Sequence, residues 1–315
     1  MESTELQDPS AQQATGTETL AIAPSPINRT GSSLSPQAGI PCPTCGSGAG
    51  SVTDDAGAAN SSYVYALGRI EARFPSPAVE KEFAQATARA DTKGKTDREA
   101  FQAVLSQRQN RYLVRQLCWV FTIQGLETYI LQPRDPADLD LLLEALGPGD
   151  PVPWISCVIG VRGFIASPGM CNGLMVPVVT VDQIYSFDSD TLIKAIPRPE
   201  KVPAKEFGRA AQELFWRIMQ MTDNAGATDD HRALNYLSVR YPAIYATAAE
   251  EFARDSSLTG VEVRSSPLSA TRNIVEAIFS FTNRNTDVTE KFFVRVDVTE
   301  EFPFLVTKMS PYYDR

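Results

Sequence analysis

Five cysteines and one histidine are the side chains of this 315-residue chain best suited to chemistry, and their spacing narrows what that chemistry could be. Cys42 and Cys45 form a CxxC pair in the stretch IPCPTCGSGAG, framed by Pro41, Pro43 and Gly46. Pro and Gly impose a tight, extended turn there, the backbone shape of a metal knuckle. Cys118 opens an apolar run just after a helical one. Cys171 sits in the loop SPGMCNG, whose Gly and Pro should leave a thiolate accessible. Cys157 lies inside an apolar strand and should be buried. A structural zinc takes four ligands, commonly two knuckles or one knuckle plus two single residues. Cys42, Cys45, Cys118 and Cys171 fit the second pattern, and such a zinc would pin the N-terminal segment to the folded body. The plainer alternative is two surface thiols and three ordinary buried cysteines. A thioredoxin-like dithiol needs a helix directly after the CxxC in a βαβ setting, whereas Gly46, Ser47 and Gly48 follow here.

Other chemistries find less to work with. Any Ser-His-Asp triad would have to use His231 in DDHRAL, and no GxSxG elbow accompanies it. Beside Asp229 and Asp230 it reads as a capped residue on a helix surface. Gly160, Gly163, Gly169 and Gly173 are not spaced as a phosphate fingerprint and read as turn glycines. Asp138 and Asp140 fall on different helix faces, so they make no catalytic pair. Arg69, Arg73, Arg162 and Asn172 lie next to apolar strands. They could line a peptide groove, the plainer reading being solvated residues or local ion pairs.

The elements that must position these residues follow from the hydrophobic pattern. Residues 1–61 are rich in Ser, Thr, Gly, Ala, Pro and Gln without sustained periodicity, so a flexible tail is expected. YVYALGRIEARFP alternates as a strand, interrupted at Gly68. Ser76-Pro77 opens a helix, and Thr96-Asp97 opens a second. LCWVFTI and ETYILQP around Gln124-Gly125 form a hairpin. A short helix, ADLDLLLEAL, precedes two more strands, WISCVIGVRG and GLMVPVVTVDQIYSF. Pro197, Pro199 and Pro203 mark a linker. Beyond it come an amphipathic helix with Phe207, Ala211, Leu214, Phe215, Ile218 and Met221 as its stripe, a helical stretch broken at Tyr241-Pro242, and four strands. The fold class expected is α+β, with mostly antiparallel sheets and packed helices. It divides into the 1–61 tail, an N-terminal subdomain over 62–198 and a C-terminal one over 199–315.

Net charge is −9, which argues against nucleic acid as a partner. No long apolar run reaches membrane-spanning length, and no cleavable N-terminal signal is read, so a cytoplasmic protein is expected. In such a compartment a disulfide framework is not expected.

The segments YVYALGRIEARFPS, RYLVRQLCWVFTIQGLETYILQPRDP, MCNGLMVPVVTVDQIYSFD, LIKAIP and VDVTEEFPFL resemble the C-terminal region of PatG-type cyanobactin maturation proteins. That region is usually called a domain of unknown function, and a related copy ends the PatA-type protease. The resemblance covers roughly residues 63–315. In that family the region follows a subtilisin-like macrocyclase domain. None is expected here, since there is no room before Tyr63 and no second histidine, so no protease or macrocyclase activity carries over. The resemblance implies a place in a peptide-modifying pathway. The function expected is a non-catalytic accessory or scaffold protein that binds a precursor peptide or a partner tailoring enzyme, as a homodimer with a structural zinc. The aromatic C-terminus EFPFLVTKMSPYYDR is the candidate dimer interface. The alternative is a peptide-modifying enzyme using a metal or Cys171.

Overall fold

The computed structural model describes residues 62–148, 154–200, 202–221 and 223–313. The expected tail, with Cys42 and Cys45, lies outside the described residues. The chain runs β1 (Tyr63–Arg73), α1 (Pro77–Arg89), α2 (Asp97–Leu105), α3 (Arg111–Gln116), β2 (Cys118–Ile123), β3 (Leu126–Pro133), α4 (Leu139–Ala145), β4 (Trp154–Ile165) and β5 (Pro177–Asp188). It continues through α5 (Ser189–Ala195), α6 (Ala204–Met219), α7 (Asp229–Arg240), α8 (Ala243–Ala253), β6 (Ser256–Ser265), β7 (Ile274–Asn283), β8 (Thr289–Asp297) and β9 (Phe304–Tyr312). The expected α+β class with mostly antiparallel pairing is borne out.

Local chemistry sets the ends of these elements. Thr96 and Glu99 close a reciprocal capping box at the start of α2. Gln124 and Gly125 both take positive φ, 52° and 80°, the two-residue turn whose twist suits a hairpin. Asp188 caps α5 by accepting from the amides of Asp190 and Thr191.

Strands β1 to β5 close into a barrel in the order β1-β2-β3-β5-β4, while β6 to β9 form an open four-stranded sheet in sequence order. One barrel pair, β3 with β5, is parallel. The closure was not legible in the strand pattern. β1 makes it possible by pairing with β4 over Tyr63–Gly68 and with β2 over Arg69–Arg73. The interruption expected at Gly68 is thus a change of partner. A Cβ there would fall 2.3 Å from the Thr122 carbonyl oxygen, so only glycine lets the strands approach. Gly160 is likewise a strand glycine and not the turn glycine expected, because its β carbon would lie 2.2 Å from the carbonyl oxygen of Thr180.

One face of every barrel strand, including Val64, Phe121, Leu131, Val158 and Val179, feeds an interior cluster that Leu105, Leu113 and Leu142 of α2, α3 and α4 extend. The outer face of β1 and β4, with Tyr65, Leu67, Cys157 and Ile159, packs in a second cluster with α6, α7, α8 and the inner face of β7 and β8. Residues from both sides of the expected boundary at 198/199 therefore share one core.

Where β1 has β4 on one side only, its other edge needs partners. Tyr65 donates its backbone N–H to Gly226 O (2.9 Å), and its carbonyl accepts from Asn235 Nδ2 (2.8 Å). Asn235 is in turn paired with Asn224 at 2.8 Å. All of this is buried. Asn235→Leu strips a partner from two buried polar groups and should destabilise the protein by roughly 2–3 kcal/mol, read as a lower urea midpoint at unchanged m.

Candidate functional site

The cysteines come first. Cys118, at the start of β2, points to the outside of the barrel, in a small cluster with Val120, Ile130 and Val178. The loop 166–176 between β4 and β5 folds back over that cluster, and Cys171 in it is joined to Cys118 as a disulfide, with the Cα atoms 5.8 Å apart. This corrects two expectations. Cys171 is not an accessible thiolate but 3% exposed, and the body does carry one bridge. The reason is the apolar patch beneath the loop, which draws Cys171 inward together with Ala166, Leu174 and Val176. Of the four zinc ligands predicted, the structure brings Cys118 and Cys171 together, while Cys42 and Cys45 lie outside the described residues. Among the described residues, no group of three or more His, Cys, Asp or Glu is arranged to hold a metal. A bonded pair offers no thiolate, so a zinc reading applies to the reduced chain.

Two clefts flank the loop. One, of about 550 Å³, is lined by Cys118, Arg115, Gln132, Arg134 and Met170. The other, of about 290 Å³, is lined by Cys171, Asn172, Arg73, Phe74 and Glu127. Arg73 and Asn172, two of the four residues considered for a peptide groove, thus meet. Arg73 is ion-paired with Glu127. The end of the β4–β5 hairpin beside them is apolar and open: Phe164 is 65%, Ile165 63% and Met175 59% exposed.

A second set of polar groups joins the barrel to the C-terminal sheet. Arg134 clasps Asp182 with both ends of its fork, at 2.5 and 3.0 Å. Glu301, in the β8–β9 connection, faces the Asp182 carboxylate, to which it can donate a hydrogen bond when protonated. Burial first, then that hydrogen bond and the like charge of Asp182, push Glu301 up to about 7, against the pull of Arg134 and Arg232. Arg232 is fully buried on α7. It donates to the carbonyls of Val298 (2.6 Å), Glu300 and Glu301 (3.2 Å), and lies 5.3 Å from the Tyr63 ring centroid. Nothing in DDHRAL marks Arg232 for burial, because an Arg among acidic residues reads as solvated. Asp182 was visible only as a polar break in the β5 pattern. His231 is half-buried, its backbone N–H capped by Thr228, and burial lowers its imidazole below the ordinary value despite Asp230 and Asp223.

The remaining cysteine is inert. Cys157 is completely buried, as expected, beside Tyr65 and Tyr185, whose hydroxyls are 2.6 Å apart. Burial pushes its thiol up to about 12, so at neutral pH it stays protonated.

With this geometry in hand, the chain can be set against known proteins. Residues 201–312 match a family model described as PatG C-terminal. A solved structure named "PatG Domain of Unknown Function" is similar at 22% identity and a TM-score of 0.65, covering 80% of this chain and 99% of that one. No curated protein matches the chain. The resemblance read from the sequence is borne out, by family over the second part of the chain and by fold over most of it.

The Glu301 environment has a measurable consequence. Its folded pKa lies above its unfolded value, so its contribution to stability is complete below the unfolded pKa and lost as pH rises through about 7. The thermal midpoint should fall between pH 5 and pH 8 by more in the native protein than in Glu301→Gln, which keeps a neutral side chain throughout. Differential scanning calorimetry across that range checks it.

Proposed function

We propose that this chain, a relative of the PatG C-terminal region, is a non-catalytic accessory module of ribosomal peptide natural product biosynthesis of the cyanobactin kind. It holds a precursor peptide or a partner tailoring enzyme and leaves the bond chemistry to that enzyme. The observation that carries the reading is the open apolar end of the β4–β5 hairpin, Phe164, Ile165 and Met175, set beside two clefts with polar walls. Exposed apolar surface rimmed by polar groups favours a partner over water, and an extended peptide can place alternate side chains on the strip and in a cleft. The family match supplies the pathway context.

Two further parts of the proposal concern assembly. Reduced Cys118 and Cys171 would complete, with Cys42 and Cys45, a four-thiolate structural zinc site. β9 is an edge strand, and Phe302, Phe304 and Val306 are exposed on or next to it, which favours pairing with a second copy.

Binding is tested by fluorescence anisotropy with a labelled synthetic precursor peptide. Phe164→Asp/Ile165→Asp should weaken it about tenfold or more at an unchanged melting temperature. A mass change of the peptide produced by the purified chain alone would overturn the non-catalytic reading. Elemental mass spectrometry of protein prepared under reducing conditions with zinc should find about one zinc per chain, lost in Cys42→Ser/Cys45→Ser. Sedimentation velocity should show a dimer that Val306→Lys splits.

A further inference from the structure

Positive charge is concentrated on one strip of this acidic chain. The stretch SQRQNRYLVRQL, residues 106–117, carries Arg108, Arg111 and Arg115 and no acid, in a chain of net charge −9. Spacings of three and four put the three on one face. With Ser106 they line a shallow cleft of about 450 Å³. Like charges at those spacings weaken a helix, and the fold does not require them, since α3 packs through Leu113 and Val114. Arg111 is neutralised by Asp140, which it holds through both ends of its fork. Arg108 and Arg115 are exposed and, among the described residues, have no ion-pair partner.

Arg115 is also a wall of the cleft of about 550 Å³ beside loop 166–176, so the two clefts meet at it. That second cleft is lined by the apolar Leu117, Ile130, Leu139 and Met170, and by Arg134, which is committed to Asp182. Neither cleft has a carboxylate in its lining. Met170 is 37% exposed and held in place. It neighbours the bridged Cys171, and its carbonyl lies 3.6 Å from the Cys118 sulfur. An apolar cleft with fixed walls thus opens onto two uncommitted guanidinium groups, on a chain whose net charge has the opposite sign.

We propose that these joined clefts bind an acidic peptide segment. An apolar side chain of the segment enters the cleft walled by Met170, and carboxylates beyond it meet Arg115 and Arg108. The guanidinium fork suits a carboxylate in geometry as well as charge. Arg108 and Arg115 stand roughly 11 Å apart along the helix axis. Two carboxylates three or four residues apart on an extended segment span roughly 10–14 Å, so one segment reaches both. Nucleic acid and anionic lipid also carry negative charge. The net charge of −9 opposes the approach of either, and the apolar cleft beside the arginines suits a side chain and not a phosphate. The inference rests on the reading that this chain holds a peptide, and adds the chemistry of the segment held. It uses residues other than Phe164 and Ile165, so the two can fail separately.

The test is fluorescence anisotropy on the full chain with two labelled synthetic peptides. One carries a Phe and, beyond it, a pair of Glu three residues apart; the other has Gln in place of both Glu. The acidic peptide should bind roughly fivefold to tenfold tighter than the amide one at low salt, and the margin should shrink as salt rises. Arg108→Gln/Arg115→Gln should remove the margin at an unchanged melting temperature, because both side chains are exposed. Arg108→Glu/Arg115→Glu should instead favour a peptide with Lys in place of Glu. Met170→Glu, which sets a carboxylate in the apolar cleft, should weaken the acidic peptide as well. Equal binding of the acidic and amide peptides, or a margin that survives Arg108→Gln/Arg115→Gln, would overturn the assignment. So would single-stranded DNA or anionic vesicles that displace the acidic peptide more effectively than its own unlabelled form does. Loss of precursor-peptide binding in Phe164→Asp/Ile165→Asp but not in the arginine variant would remove this inference and leave the docking reading standing. An acidic margin with no binding of precursor peptide would support the cleft and count against the precursor as its occupant.

Discussion

Burial of β1 on both faces is the constraint on which the rest of the structure depends. Val64, Ala66 and Ile70 look into the barrel, while Tyr65 and Leu67 look out into the core shared with α6, α7 and the C-terminal sheet. A strand used on both sides leaves little backbone to water, so each of its hydrogen-bonding edges must be matched. β4 and β2 divide the strand between them at Gly68, and Gly226 and Asn235 complete the edge at Tyr65. The Tyr65–Tyr185 hydroxyl pair and the Tyr63–Arg232 contact extend the same logic to its side chains. β1 thus helps to hold the two halves of the chain together, beside β4, which feeds the same shared core.

The surface divides differently. Charged groups at the seam between barrel and sheet are tightly matched, Arg134 with Asp182 and Arg232 with three carbonyls, and they serve cohesion. Exposed apolar side chains occur on several elements, Leu126, Leu268, Val288 and Phe304 among them, but Phe164, Ile165, Met170 and Met175 stand together on the β4–β5 hairpin, around the loop that the Cys118–Cys171 disulfide holds. Packing demand thus accounts for the seam, and it leaves Phe164, Ile165 and Met175 without a role inside the fold. That contrast is why the hairpin, and not the more elaborate ionic cluster, carries the functional reading.

Much of the fold was legible because its signals are local. Thr96 with Glu99, the Gln124-Gly125 turn and the stripe of α6 each follow from a few neighbouring residues. What was hidden depends on long-range closure. Nothing in the sequence near Ile130 and Val178 says that they pair in parallel, and alternation cannot distinguish a closed barrel from an open sheet. The cysteine site was half legible. Cys118 and Cys171 were grouped as metal ligands, and the structure joins them as a disulfide; the loop was read from its polar residues, and the apolar patch that buries Cys171 comes from three separate strands. Arg232 and Glu301 were missed for the same reason, since their partners are brought together only by the packing of α7 against the end of β8.

The contact between Asn235 and Tyr65 links positions 170 residues apart. Loop closure over such a distance must come before the contact can reward it, so folding is expected to be slow and to finish late. During synthesis β1 emerges first, yet its outer face has no partner until α7 and the following strands have left the ribosome. A strand that ends buried on both faces must therefore wait through most of translation. The chain's exposure to misassembly is greatest at its beginning, and the last strands to be made are those that end it.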